Sequence, residues 1–107
     1  MSTGSTPDPS TPNTPDGVLA AMWSTRRPEV LADLDRLREL VDDLAERPDD
    51  PDRQDRAVSL AHRLHGTVGV FGFSEARSLM ADAEASLRRR ATRDVTAIID
   101  AARRTLP

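Results

Sequence analysis

The chain contains no cysteine, no tyrosine and no lysine. Without cysteine there is no disulfide scaffold, no thiolate zinc site and no thiol nucleophile. Without lysine there is neither Schiff-base chemistry nor a phosphate-loop lysine, and all 15 basic residues are arginine. Aromatic residues make up only 3 %, namely Trp23, Phe71 and Phe73, which is too few for a platform that stacks single-stranded nucleic acid. No apolar run approaches the length of a membrane span. No basic segment followed by an apolar one opens the chain, so no secretory signal is expected and a cytoplasmic location is.

What is present bounds the rest. A chain of 107 residues with 37 % apolar residues supports one domain with one core. Charged residues reach 31 %, yet the net charge is only -3. That mild acidity argues against a dedicated nucleic-acid binder.

Met1 to Asp16 is Ser, Thr, Pro, Gly, Asn and Asp after the initiator, with prolines at 7, 9, 12 and 15. Such a stretch has too little apolar surface to offset its ordering entropy, so residues 1–16 are expected to form a disordered tail. Residues 17–107 turn to helical periodicity. Val18, Leu19, Met22 and Trp23 fall on one face of a short helix. Pro28 suits the first turn of a second, with a stripe of Val30, Leu31, Leu34, Leu37, Val41 and Leu44. The acidic run from Arg47 to Asp52 ends it, and Asp52 is a candidate N-cap for a third helix over 53–70. Gly72 and Ser74 mark the next turn, with Ser74 as cap. Ala76, Leu79, Met80, Ala83 and Leu87 form the stripe of a fourth helix; Val95, Ile98, Ile99, Ala102 and Leu106 form that of a fifth. Met22 and Met80 share the spacing of their leucine neighbours and are expected in the core. The architecture expected is an antiparallel up-down four-helix bundle, with the short Trp23 helix capping one end.

The third helix carries the unusual chemistry. At 100° per residue, Ala57, Leu60, Ala61, Leu64, Val68 and Phe71 gather on a core side. The other side carries Asp55, Val58, His62, His65, Gly66 and Gly69. Each glycine inside a helix costs roughly 1 kcal/mol relative to alanine. Two of them beside two histidines suggest a face kept clear for close approach, with Val58 adding an apolar contact. Helix glycines can equally serve the packing of a neighbouring helix, and periodicity alone does not separate these readings.

The segment Ala61-His62-Arg63-Leu64-His65-Gly66-Thr67-Val68-Gly69-Val70-Phe71-Gly72 resembles the signature of histidine phosphotransfer (HPt) domains. That pattern reads Ala-His-x-Leu-Lys-Gly-Ser, with a further Gly six residues after the first. Ala61, His62, Leu64, Gly66 and Gly72 match in place, Thr67 stands for Ser, and Glu84 falls where the next helix has Glu or Gln. The resemblance extends over Gly17 to Leu106 in helix order and length. It implies that His62 accepts a phosphoryl group on its outer ring nitrogen while Glu84 holds the inner one. Glu84 shares a flank with Arg77 and Arg88, and its plainer reading is an i,i+4 partner of Arg88. One position departs from the family: the usual lysine three residues after the histidine is His65. Histidine ordinarily titrates near pH 6.5, so it supplies less positive charge at pH 7 than lysine does. Arg63 or Arg88 is then the candidate substitute.

The resemblance implies a free-standing phosphocarrier that works between a histidine kinase or receiver-domain aspartate and another receiver domain. It would be a monomer, bind neither nucleic acid nor membrane, use no cofactor and have no kinase or nucleotide site of its own. The partner-binding positions would be Val58, Gly66 and Gly69. The rival from another class is a non-catalytic helical adaptor that docks a receiver or other protein without carrying phosphate. No metal site is expected either. His62 and His65 have a spacing that can chelate zinc, but Asp55 or Glu84 would have to complete the site. The aspartates at 49, 50, 52 and 55 lack the glycine and terminal glutamate of a calcium loop. Arg88-Arg89-Arg90 reads as cations closing a helix C-terminus. Ser59 lies one turn before His62, without an oxyanion-forming loop.

Overall fold

A computed structural model describes residues 15–107, with side chains from 17 onward. The expected tail lies outside them apart from Pro15 and Asp16, which already belong to the first helix. Four helices follow in order: α1 (Pro15–Glu46), α2 (Pro51–Val70), α3 (Ser74–Arg88) and α4 (Val95–Thr105). Among the described residues there is no strand. α1 packs on α2 and α4, α2 on α3, and α3 on α4, so neighbours in sequence are neighbours in space and the ring closes between first and last. The connections at 47–50, 71–73 and 89–94 are short, which makes successive helices antiparallel.

The core is built mostly from the predicted stripes, with Leu40 added and Leu31, Phe71, Leu79, Ile98 and Leu106 only partly buried at its edge. Val30, Leu34, Leu37, Val41 and Leu44 of α1 face Ala57, Ala61, Leu64 and Val68 of α2, Ala76, Met80, Ala83 and Leu87 of α3, and Val95, Ile99 and Ala102 of α4. Four of the ten buried positions of α2 and α3 are alanines, Ala57, Ala61, Ala76 and Ala83. Small side chains let two helix axes approach at the short end of the usual range of about 8–10 Å. Polar side chains on the rims of these helices can therefore meet.

Two helices expected on either side of Pro28 are one. α1 runs through the proline without a break. Pro28 has no N–H to give the Ser24 carbonyl, and its ring crowds that turn. Yet Trp23 and Val30 are both buried, one on each side. They lie seven residues apart, on the same stripe, so burial along one continuous face outweighs the local penalty. Met22 is also not in the core: it is 48 % exposed, and Val18 and Leu19 are exposed too. Trp23 is the first buried side chain of α1 among the described residues. Its ring is clamped edge-on by Phe71 at 5.3 Å and Phe73 at 4.7 Å, both from the α2–α3 turn. Val18, Leu19 and Met22, which precede Trp23, stay exposed beyond that turn.

The caps also differ from expectation. Asp50, not Asp52, caps α2: its carboxylate accepts from the Arg53 backbone N–H at 3.1 Å and from the Arg53 guanidinium at 2.7 Å. Pro51 occupies the first helical position, where its missing N–H costs nothing, so the cap falls one residue earlier. Asp52 sits in the first turn, where its charge suits the helix dipole. Ser74 is the first residue of α3 rather than a cap; the cap position is Phe73, with no side-chain bond. Gly72 is required by its backbone. With φ of +81° it donates to the Gly69 carbonyl, while Phe73 N–H donates to Val68. These paired bonds stop α2 and throw Phe73 back toward Trp23. α3 stops the same way through Arg90, at φ of +58°.

Replacing Pro28 by alanine should restore one helical hydrogen bond at an exposed site. The expected gain is about 1–3 kcal/mol in urea unfolding, with helical content unchanged. The Arg53 backbone bond, chiefly, holds the Asp50 carboxyl below its ordinary 3.8. A group with a lowered folded pKa stabilises above the ordinary value and loses that effect as pH falls through the lowered one. Asp50→Ala should therefore lower the urea midpoint at neutral pH, and its gap from wild type should close on acidification below that ordinary value.

Candidate functional site

α2 and α3 present one polar cluster where their rims meet. On α2, Ala61 and Leu64 are buried, so the neighbouring positions His62 and His65 turn outward toward α3. On α3, Ala83 and Leu87 are buried, which sets Glu84 on the rim facing α2. His62 Nδ1 lies 3.2 Å from Glu84 Oε1 and 3.1 Å from Oε2. His65 Nδ1 lies 3.9 Å from Oε1. Arg88, one turn along α3, donates to Oε2 from its terminal nitrogen at 2.8 Å and from Nε at 3.2 Å. The exposure is uneven: the His62 side chain is 69 % exposed and that of Glu84 only 13 %. The carboxylate forms a floor and the ring stands on it in solvent.

The electrostatics fix the proton. Burial pushes the Glu84 carboxyl up, but the hydrogen bonds and charges of Arg88 and His62 outweigh it and leave it below its ordinary value. Glu84 is then a carboxylate at neutral pH, and a carboxylate only accepts. The hydrogen of a neutral His62 ring must therefore sit on Nδ1. That leaves a lone pair on Nε2, which has no hydrogen-bond partner among the described residues. An exposed imidazole with a free lone pair is a competent nucleophile near pH 7.

The other sequence candidates divide. Gly66 is exposed, and a Cβ built there would meet nothing within 4 Å. Gly69 has a reason inside the chain: a Cβ there would come within 3.1 Å of Arg77 Cδ, whose stem crosses it. Val58 is half-buried and packs against the core, so it offers less apolar surface than a fully outward residue would. Arg63 leans away from Glu84 and pairs with Asp33 of α1 at 3.3 Å. Arg88 is engaged by Glu84. Asp55 lines a groove with Asp33 and Arg36 and does not join the histidine cluster.

Gln54 escaped the sequence reading. It is the one buried polar residue among those described, and its side-chain amide donates to the Leu87 carbonyl at the end of α3. That bond ties the start of α2 to the turn next to Glu84. Its spacing of three from Ala57 puts it on the core stripe, which is the signal that could have found it.

Gly66 thus carries a helix penalty with no packing return. Gly66→Ala should raise stability by about 0.5–1 kcal/mol in urea unfolding. A loss of stability would mean that an unseen contact needs the glycine.

A family model described as the Hpt domain matches residues 21–106. Comparison with curated proteins and with solved structures gives no match. The match covers α2, α3 and α4 and all but the first six residues of α1, and includes His62, His65, Glu84 and Arg88. The chain belongs to the Hpt domain family and has a histidine phosphotransfer role in two-component signalling.

Proposed function

We propose that His62 is the phosphoryl-carrying residue, and that the chain relays the group from a histidine kinase or a receiver-domain aspartate to another receiver. The observation that carries this reading is the exposed His62 ring held through Nδ1 by the half-buried, ionised Glu84. Nε2 attacks the phosphorus of an aspartyl phosphate. The new N–P bond forms as the P–O bond to the aspartate breaks, and that aspartate leaves as a carboxylate. Because Nδ1 keeps its hydrogen, the ring becomes cationic as the bond forms. The Glu84 anion 3.1 Å away stabilises that charge, as a buried aspartate does for the histidine of a catalytic triad. No nucleotide is involved, and positioning is the main contribution of the protein.

Gly66, with Val58 at its edge and the adjoining flank of α3, forms the face offered to the partner; at Gly69 that face is the Arg77 stem lying over the glycine. Gly66 leaves the space in which a receiver's acidic pocket can close over His62. His65 stands where the family's lysine helps hold the phosphoryl oxygens, and Arg63 and Arg88 are both drawn to carboxylates. A slow transfer or a short-lived phosphohistidine is the expected consequence. The adaptor reading draws on the same feature and keeps the docking face without the chemistry.

Labelling by a small phosphodonor separates the two. Wild type should take up acid-labile phosphate and His62→Ala none. Glu84→Ala should take it up about ten- to a hundredfold more slowly. Gly66→Phe should still react with the small donor but lose transfer from a phosphorylated receiver. A His62→Ala variant that still supports receiver-dependent signalling would favour the adaptor.

A further inference from the structure

The cluster has a second property that phosphotransfer does not use. His62, His65 and Glu84 each offer one ligand atom, and the three atoms lie within 4.8 Å of one another. Both histidines direct the same nitrogen, Nδ1, at the same oxygen, Oε1, at 3.2 and 3.9 Å. The edges of a zinc tetrahedron are about 3.4 Å, as follows from metal–ligand bonds of about 2.0–2.1 Å. These side chains therefore need only small torsions to close on an ion. Oε2 remains with Arg88, which keeps the carboxylate oriented from behind. Two imidazoles and a carboxylate form a borderline donor set that suits zinc over magnesium or calcium. The sequence left the third ligand open between Asp55 and Glu84; only Glu84 joins the cluster.

We infer that His62, His65 and Glu84 form a binding site for Zn²⁺, and that the ion blocks phosphoryl acceptance. The block follows from the ring. A neutral imidazole bound to metal through Nδ1 carries its one hydrogen on Nε2. The Nε2 lone pair is then gone, and His62 cannot attack phosphorus. The replacement of the usual lysine by His65 supplies the second nitrogen ligand and removes a cation that would repel the ion. The binding stands independently of the phosphocarrier reading; only the block rests on it.

The test is calorimetric titration of the full chain with Zn²⁺ in a weakly coordinating buffer, together with His65→Ala and Glu84→Gln. One zinc per chain should bind at low-micromolar concentration, and each variant should bind at least about tenfold more weakly. Both substitutions lie on the α2–α3 rim outside the hydrophobic core, and circular dichroism checks the fold. Long-range ¹H–¹⁵N correlation spectra should show the Nδ1 resonances of both rings shifted by the metal. Wild-type affinity no tighter than that of the two variants would overturn the site. Zinc should also stop labelling of wild type by a small phosphodonor at the concentration that fills the site, with recovery on chelation. Full labelling of zinc-saturated protein would overturn the block while leaving the site. Wild type that takes no label even without zinc would contradict the phosphocarrier reading and the block that rests on it.

Discussion

The contact between the His62 ring and the Glu84 carboxylate is the one on which the functional account depends. Its strength as a surface ion pair is beside the point, since exposed pairs contribute little to stability. What matters is the direction of the hydrogen bond. A carboxylate held ionised by Arg88 and sunk between two helices can only accept, so it dictates which nitrogen keeps the hydrogen and which is free to react. In the proposed transfer the same floor carries the charge that develops on the ring when it attacks phosphorus.

The bundle exists around that contact in a specific way. Alanines at the buried positions of α2 and α3 allow the close approach that lets a histidine and a glutamate on neighbouring rims touch. The Gln54 bond to Leu87 fixes α3 at the Glu84 end, and the turn at Gly72 fixes it at the other. Trp23, held edge-on by Phe71 and Phe73, locks that turn against α1. Relative sliding of α2 and α3 is thus restrained at both ends, with the site between them. Ion pairs from α1 to α4, Arg38 with Asp100 and Arg103 with Asp35, tie the outer helices together but do not reach the site.

Much of this could be read from residue spacing, and the failures have physical causes. The apolar stripes of α2, α3 and α4 follow directly from their period, and the glycine and histidine pattern of α2 pointed to His62. Pro28 misled because a local rule for proline was weighed without the seven-residue step from Trp23 to Val30, which only a shared core makes decisive. Met22 misled because an amphipathic pattern is silent on whether a neighbouring helix is long enough to cover it. Asp52 gave way to Asp50 because Pro51 claims the first helical position. Gly69 looked like a cleared surface, yet the stem of Arg77 lies over it, a contact across two helices that no single stripe can reveal. The destination of Arg63 was likewise invisible, since it depends on which carboxylate of α1 lies across the groove, whereas Arg88 pairs with Glu84 four residues before it, as their spacing suggested.

In the proposed transfer Nε2 of His62 is the reacting atom because Glu84 holds the hydrogen on Nδ1. The most direct measurement is a long-range ¹H–¹⁵N correlation spectrum of protein with ¹⁵N-labelled histidine, before and after reaction with a small phosphodonor, read beside the ³¹P spectrum. The expected result is a His62 ring with its hydrogen on Nδ1 before reaction, and a phosphorus bonded to His62 Nε2 afterwards. Phosphorus on Nδ1 of His62, or on His65, would contradict it.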